Sequence, residues 1–251
     1  MSPPLDDRRV LGAVRFVDGI TMATVAEGLH VQSAATLRPN RSGLWVVWRA
    51  NGLERHATAF DQPPAAPALV SITITFEVTD DRNRYLARSA TIKLPRDPSP
   101  ASAGQPDSLF EPIAVPLYLA SNAPIWPGWA VLRAHVKDNA TGRPLGGALL
   151  RVLRTADKKV LARGMSDARG EALVAVPGIP ITTFSSETGP ALAAELDVTV
   201  RASIAPKTPI APDPEAIEAD IGLPSIALTR KLAAGRQVTD EFPITLPQNF
   251  L

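Results

Sequence analysis

Two stretches of this chain read as the same strand, turn and strand, and that repetition constrains the fold more than any other feature. The first is "VRFVDGITMATVAEGLHV" at residues 14–31, and the second is "HVKDNATGRPLGGALLRV" at residues 135–152. With Asp18 set on Asp138, Thr21 meets Thr141, Val25 meets Leu145, Gly28 meets Ala148 and Leu29 meets Leu149. A second pair of blocks follows, "NRSGLWVV" at 40–47 and "DARGEALV" at 167–174, which sets Gly43 on Gly170. The offset grows between the blocks, as a longer hairpin around "RTADKK" in the second copy requires. The residue types suit the geometry. An aspartate that ends a strand accepts bonds from the amides of the next turn. Gly142 reaches positive φ without a Cβ penalty, and Pro144 restarts an extended segment.

Strand text runs through the rest of the chain. In "SITITFEV", Ile72, Ile74, Phe76 and Val78 alternate with Ser71, Thr73, Thr75 and Glu77, the period-two pattern of a half-buried antiparallel strand. Further strands are expected in "VLGAVRFV", "GLHVQSA", "GLWVVWRA", "YLARSATIKL", "VPLYLAS", "WAVLRAHV", "GALLRVLR", "KKVLARGMSD", "GEALVAV" and "ELDVTVRASI". The 25 prolines are about twice the ordinary ~5% share and point to strands joined by stiff, extended connectors. One short helix is expected at "PDPEAIEADI", with Asp213 as N-cap and Pro214 at the first helical position.

These patterns predict an all-β protein of two Ig-like or transthyretin-like β-sandwich domains. The first spans 1–95, a Pro/Ser-rich linker spans 96–116, and the second sandwich spans 117–205. A connector, the short helix and an extended C-terminal arm occupy 206–251. Hydrophobic residues make up 45% of the chain, enough for packed cores. With 26 basic and 25 acidic residues the net charge is +1, so no charge excess points to nucleic acid or an anionic membrane. No apolar run reaches membrane-spanning length, and "MSPPLDDRRVLG" has no apolar segment of signal-peptide length. No membrane insertion is expected.

The second copy, "RAHVKDNATGRPLGGALLRVLR…GMSDARGEALVAVPG", resembles the carboxypeptidase regulatory-like domains over about 130–202. The likeness lies in the strand ending at Asp138, the turn at Thr141 to Leu145, the small-residue start of the next strand, and "SDARG" leading into a strand. Glu171 and Ala172 stand where that family places an aromatic residue. The resemblance implies a seven-stranded, transthyretin-like sandwich and a non-catalytic module. The first copy lacks the Thr-Gly-x-Pro turn, having Thr21, Met22, Ala23 and Thr24 instead. The layout of the whole chain resembles accessory proteins of bacterial extracellular contractile injection systems, which are phage-tail-like particles. The segment "PIWPGWAVLR" at 124–133 carries that likeness best. It implies a structural subunit at the cap or collar, whose partners are sheath, tube or cap proteins and further copies of itself in a ring. It also implies assembly in the bacterial cytoplasm before any release of the particle.

The chemistry-bearing residues are sparse. With no cysteine there is neither a disulfide nor a thiolate metal site. His30, His56 and His135 lie far apart without metal-ligand spacing, so no metal and no cofactor is expected. Asp6–Asp7 and Asp80–Asp81 are adjacent acids in turns, not a pair held across a cleft. No nucleophile elbow or phosphate-binding glycine pattern is present, and the chain reads as non-enzymatic. The candidate contact residues are aromatic and aliphatic. Trp45 and Trp48 lie three apart on one strand and face opposite sides, so one belongs to the core and the other, taken here as Trp48, to an interface. Trp126 and Trp129 bracket a Pro-Gly turn, where they either seal a domain junction or anchor a neighbouring subunit. Phe242, Ile244, Leu246, Phe250 and Leu251 make the C-terminal arm too apolar for solvent. It docks on its own sheet or on a partner by strand addition. The expected role is therefore structural assembly within the particle. The alternative is a sandwich module that binds protein or carbohydrate.

Overall fold

The structure, a computed structural model, describes residues 9–58, 64–180, 194–206, 211–248 and 250. Among these residues the chain is nearly all β, with fourteen strands, two short α-helices and one 3₁₀ turn at Pro100–Ser102. It divides into two compact units. The first comprises Met1–Asp18, Ala23–Asp81 and Ser89–Pro116, and the second comprises Gly19–Met22, Arg82–Arg88 and Leu117–Leu251. No helix among the described residues is long and apolar enough to cross a membrane.

The first unit is built from β1 (Gly12–Asp18), β2 (Leu29–Ser33), β3 (Thr36–Pro39), β4 (Leu44–Arg49), α1 (Glu54–Thr58), β5 (Ile72–Asp80), β6 (Arg88–Leu94) and β7 (Ile113–Leu117), of which the end residues Arg88 and Leu117 count with the second unit. One sheet has the order β3-β4-β1-β7 and the other β2-β5-β6. Alternation along each strand turns one apolar face inward. Val14, Phe16, Val47, Phe76, Val78, Ile92 and Leu94 are thereby buried. The Phe16 ring meets Trp45 and Phe76 edge-on, with centroids 6.2 and 5.9 Å away.

The second unit holds β8 (Ala130–Asp138), β9 (Leu149–Arg154), β10 (Val160–Met165), β11 (Glu171–Val176), β12 (Glu195–Ser203), α2 (Pro214–Ala219), β13 (Ser225–Ala233) and β14 (Gln237–Ile244). Its sheets run β10-β9-β12-β13 and β11-β8-β14. Leu132, Val136, Leu150, Val152, Val174, Val198, Val200 and Phe242 fill the space between them. α2 starts where the sequence places it. The Asp213 carboxylate accepts from the Glu215 and Ala216 amides, and Pro214 occupies the first turn, where its missing N–H costs nothing.

The repeat is real at the level of individual hydrogen bonds. Asp18 N–H donates to Ala23 O and Val25 N–H to Phe16 O, just as Asp138 N–H donates to Arg143 O and Leu145 N–H to Val136 O. Gly19 N–H reaches Leu117 O as Asn139 N–H reaches Ile244 O. In the second block the Asn40 side chain accepts from the Ser42 and Leu44 amides, and Asp167 accepts from those of Arg169 and Glu171. Gly43 and Gly170 take φ of +74° and +76° there. At Gly170 a Cβ would lie 2.3 Å from Val136 O, so both the turn and the close approach require glycine. The strand orders β4-β1-β7 and β2-β5-β6 reappear as β11-β8-β14 and β9-β12-β13. Only the third strand differs, since β3 joins the β4 sheet whereas β10 joins the β9 sheet. The glycine backbone also moves one correspondence. Gly28 (φ +77°) matches Gly147 (φ +81°), one residue before the Ala148 that the sequence alignment gives it.

Two sequence expectations are corrected. Residues 96–116 are not a linker, because they supply β7 to the first sheet and their loop is clasped from inside. The Arg96 guanidinium donates to the carbonyls of Pro106, Ser108 and Glu111, at 2.5, 3.0 and 3.2 Å from its Nη2. Residues 206–251 are not merely connector and arm, since they contain β13 and β14. β14 pairs in parallel with β8 from Gln237↔Val131 to Ile244↔Asp138, which makes the apolar C-terminal segment a strand of its own sandwich. His56 lies in α1, buried at 6% exposure.

Candidate interaction surfaces

The candidate contact residues separate into two groups once their surroundings are known. Phe242 and Ile244 are fully buried in the core of the second unit, and Leu246 and Phe250 pack against that core. As interface residues Phe242 and Ile244 are corrected, because the sandwich buries all of their apolar surface, whereas Leu246 and Phe250 keep part of theirs exposed. Leu251 lies outside the described residues. Trp45 and Val47 face the core of the first unit, and Trp48 lies half-buried on the opposite face of β4 with Leu44 and Val46.

Trp126 is 63% exposed, and Trp129 is half-buried three residues later. The loop presenting them, residues 121–129, is fixed at both ends. At its start Ser121 is buried; its Oγ donates to Asp167 Oδ2 (2.9 Å), and its carbonyl accepts from Arg133 Nη1 (2.7 Å). Arg169 Nη2 donates to both Ser121 Oγ and Asp167 Oδ2, each at 3.1 Å. Burial alone would push the Asp167 carboxyl up, but the donors from Ser121, Arg169 and Glu171 hold it below its ordinary value. At the loop's end Gly128 adopts φ +86°, and the Gly235 amide donates to the carbonyls of Gly128 and Trp129. An exposed indole on a braced loop has little conformational entropy left to lose on contact.

The densest charged cluster was not legible in the sequence. Arg88, which has no exposed surface, makes a two-pronged pair with Glu215 and lies 3.9 Å from Asp213. Its guanidinium sits 5.8 Å from the Tyr118 ring centroid. Arg163 holds Glu218 through two bonds of 2.7 and 2.9 Å, and Arg151 lies 3.5 Å from the same carboxylate. Three cations thus face three carboxylates carried by α2 or its cap. Burial, reinforced by Glu215, pushes the Tyr118 hydroxyl up to about 12, and the bonds from Arg163 hold Glu218 down. Each group is driven further into the form it already has at neutral pH, the reverse of what proton transfer needs. The cluster fastens α2 to its sheet, with Ile217 set against Tyr118, Leu149 and Met165. The spacing of Glu215 and Glu218, which places both on one helical face, was its only trace in the sequence.

A surface cavity of about 440 Å³ in the first unit is lined by Thr91, Lys93, Arg96, Gln105, Glu111 and Ile113 among others. Its most basic group, Arg96, is already taken up by the loop carbonyls. Among the described residues no group of three or more His, Asp or Glu is placed to hold a metal ion. His30 Nε2 lies 3.1 Å from Gln32 on β2, and His56 Nε2 has no hydrogen-bond partner.

No protein-family model matches the chain, and no curated protein matches it. Solved structures with a distant likeness include two pilins. One is the shaft pilin SpaA from Lactobacillus rhamnosus GG, at 11% identity over 71% of this chain and 63% of the pilin, with a TM-score of 0.28. The other is BcpA, the major pilin subunit of Bacillus cereus, at 11% identity over 94% of this chain and 60% of the pilin, with a TM-score of 0.24. The chain thus spans less than two thirds of either pilin, and at these scores the likeness carries no functional weight.

Proposed function

We propose that the chain is a non-enzymatic structural subunit of a contractile, phage-tail-like particle, working at its cap or collar through contacts with other subunits. The supporting observation is the braced, exposed Trp126. It lies in the segment whose sequence resembles the particle's accessory proteins. A rigid aromatic standing clear of the surface is the kind of residue that dominates interface energetics. The charged groups nearby, Asp167, Arg133 and Arg169, are already engaged with the loop or with neighbouring strands, so the tryptophan is what the loop presents.

The test is co-sedimentation with sheath and tube proteins from the same genome, using the full chain and Trp126→Ala. The wild type is expected in the particle fraction, and the variant is expected to be depleted there while keeping its melting temperature. A wild type that never co-sediments refutes the particle reading. If Trp126→Ala instead lowers affinity for an oligosaccharide, the binding-module reading replaces it.

A further inference from the structure

An exposed sheet edge invites another strand, and folded proteins blunt their edges by short strands, bulges, prolines or cover. The two sandwiches do this at nearly every edge. β3 carries a register shift and ends in Pro39, and β7 contains Pro116. β10 carries a register shift, and β14 contains Pro243. β2 has only five residues, while β6 and β11 are mostly buried. β13 differs from all of these. It runs nine residues, Ser225–Ala233, without proline, and pairs with β12 in unbroken register from Ser203↔Ser225 to Glu195↔Ala233.

The direction of its free backbone groups follows from one bond. Ile204 N–H donates to Pro224 O, so that pair is of the hydrogen-bonded type. In an antiparallel ladder such pairs alternate, so Ile226, Leu228, Arg230 and Leu232 bond to β12. The amides and carbonyls of Ser225, Ala227, Thr229, Lys231 and Ala233 therefore point to an edge that no other strand among the described residues pairs with. The Arg230 side chain agrees, since its Nη1 donates to the Thr229 carbonyl at 2.7 Å while its Nε is held by Asp240 on β14. The turn amide of Arg236 takes the Ala233 carbonyl. Ile226 and Leu228 face the core side of this strand yet stay only half-buried, as residues short of one neighbouring strand do.

From these observations we infer that β13 is a self-association edge, pairing antiparallel with β13 of a second copy about a two-fold axis through Thr229. Self-complementarity selects this occupant. The register that overlaps all nine residues sets Thr229 on Thr229, Ala227 on Lys231, Leu228 on Arg230, Ile226 on Leu232 and Ser225 on Ala233. No like charges stand opposite, the outward amides meet outward carbonyls (those of Thr229 and Ala233 through the lone pair that Arg230 and Arg236 leave unused), and Ile226 and Leu228 gain apolar neighbours. Shifting the axis to Arg230 or Lys231 would set two cations face to face. The pairing joins two four-stranded sheets into one, and it needs no other protein, so it stands or falls apart from the particle reading.

The test uses the full chain, which has no cysteine. Thr229→Cys places two thiols on the axis, at the Cα separation of about 5.5 Å of a hydrogen-bonded antiparallel pair, too wide at Cβ for an unstrained disulfide but within reach of a short bis-maleimide. That reagent is expected to yield a covalent dimer. Sedimentation of the wild type is expected to show a concentration-dependent monomer–dimer equilibrium. Ala227→Pro loses only an outward amide and is expected to be monomeric. Ala227→Lys, which sets Lys against Lys231 of the second copy, is expected to weaken the dimer several-fold, and Ala227→Glu to tighten it. These two reversals decide the matter if the proline variant folds poorly. A wild type that is monomeric at every concentration overturns the inference, as does a dimer that Thr229→Cys fails to cross-link or one indifferent to the charge placed at 227.

Discussion

Replacing Phe242 by alanine separates a strand of the core from a docked tail. Phe242 has no exposed surface, and neither has Ile244, two residues on and facing the same side of β14. Truncating a buried phenylalanine costs about 3–5 kcal/mol, the lost transfer energy plus the cavity left behind. A unit of this size loses roughly 3–5 °C of melting temperature per kcal/mol, so Phe242→Ala should melt about 10–20 °C lower. Ending the chain before Glu241 removes both side chains and half of the β14 ladder with β8. That loss, about 5–10 kcal/mol, is comparable with the whole stability of an ordinary domain. Calorimetry and urea titration of the wild type, Phe242→Ala and the truncated chain provide the assay. The expected result is a large downward shift for the first variant and no cooperative transition of the second unit in the truncated chain. A truncated protein that melts as the wild type does would refute the core assignment and restore the arm. Trp126→Ala serves as the contrast, with an expected change within about 0.5 kcal/mol because the side chain is mostly in solvent.

Other outcomes follow from the same geometry. Glu218 is held below its ordinary carboxylate value, first by its bonds from Arg163. Its stabilisation is therefore complete at neutral pH and is lost as pH falls through the ordinary carboxylate range toward the lowered value. Urea midpoints of the wild type and Glu218→Gln should differ most near pH 7 and converge below about pH 4; a gap that persists in acid contradicts the ion-pair account of α2. Gly170→Ala should cost about 3 kcal/mol or more, since it combines a φ of +76° with a carbonyl 2.3 Å from the new Cβ. Gly142→Ala should cost only about 1 kcal/mol, because φ is +71° there but no atom lies within 4 Å. Equal effects in thermal melts would show that the close approach at Gly170 is not what fixes that glycine.

The parts of the fold legible in the sequence were those encoded locally. Asp138, Asn40 and Asp167 bond amides within five residues of themselves, and Gly43 and Gly170 mark positive φ, so the repeated turns could be aligned without a structure. The Asp213 cap and Pro214 likewise announced α2. What escaped was encoded at long range or disguised by composition. Arg88 and its partner Glu215 are 127 residues apart, and nothing beside either names the other. β14 was hidden by Pro243, which breaks a central strand but is tolerated at the outer edge of its sheet. The Pro/Ser-rich text of 96–116 concealed that Arg96 organises those residues from within. In "SIALTRKLA" the period-two pattern of Ile226, Leu228 and Leu232 was present, but Arg230 interrupted its apolar face, and that arginine is satisfied by Asp240 on another strand.

The pairing of β8 with β14 also sets the pace at which the second sandwich forms. Arg133 on β8 bonds Gln237 on β14 across 104 residues, and β9 to β13 all lie between them. Bringing β8 and β14 together closes a loop that contains all the strands between them, and closing so long a loop slows folding. Until then β8 keeps one flank of unmet amides and carbonyls, and the half-built sheet can capture another chain's strand as readily as its own. Refolding yield should therefore fall steeply with protein concentration, through competition between two partners for the same flank.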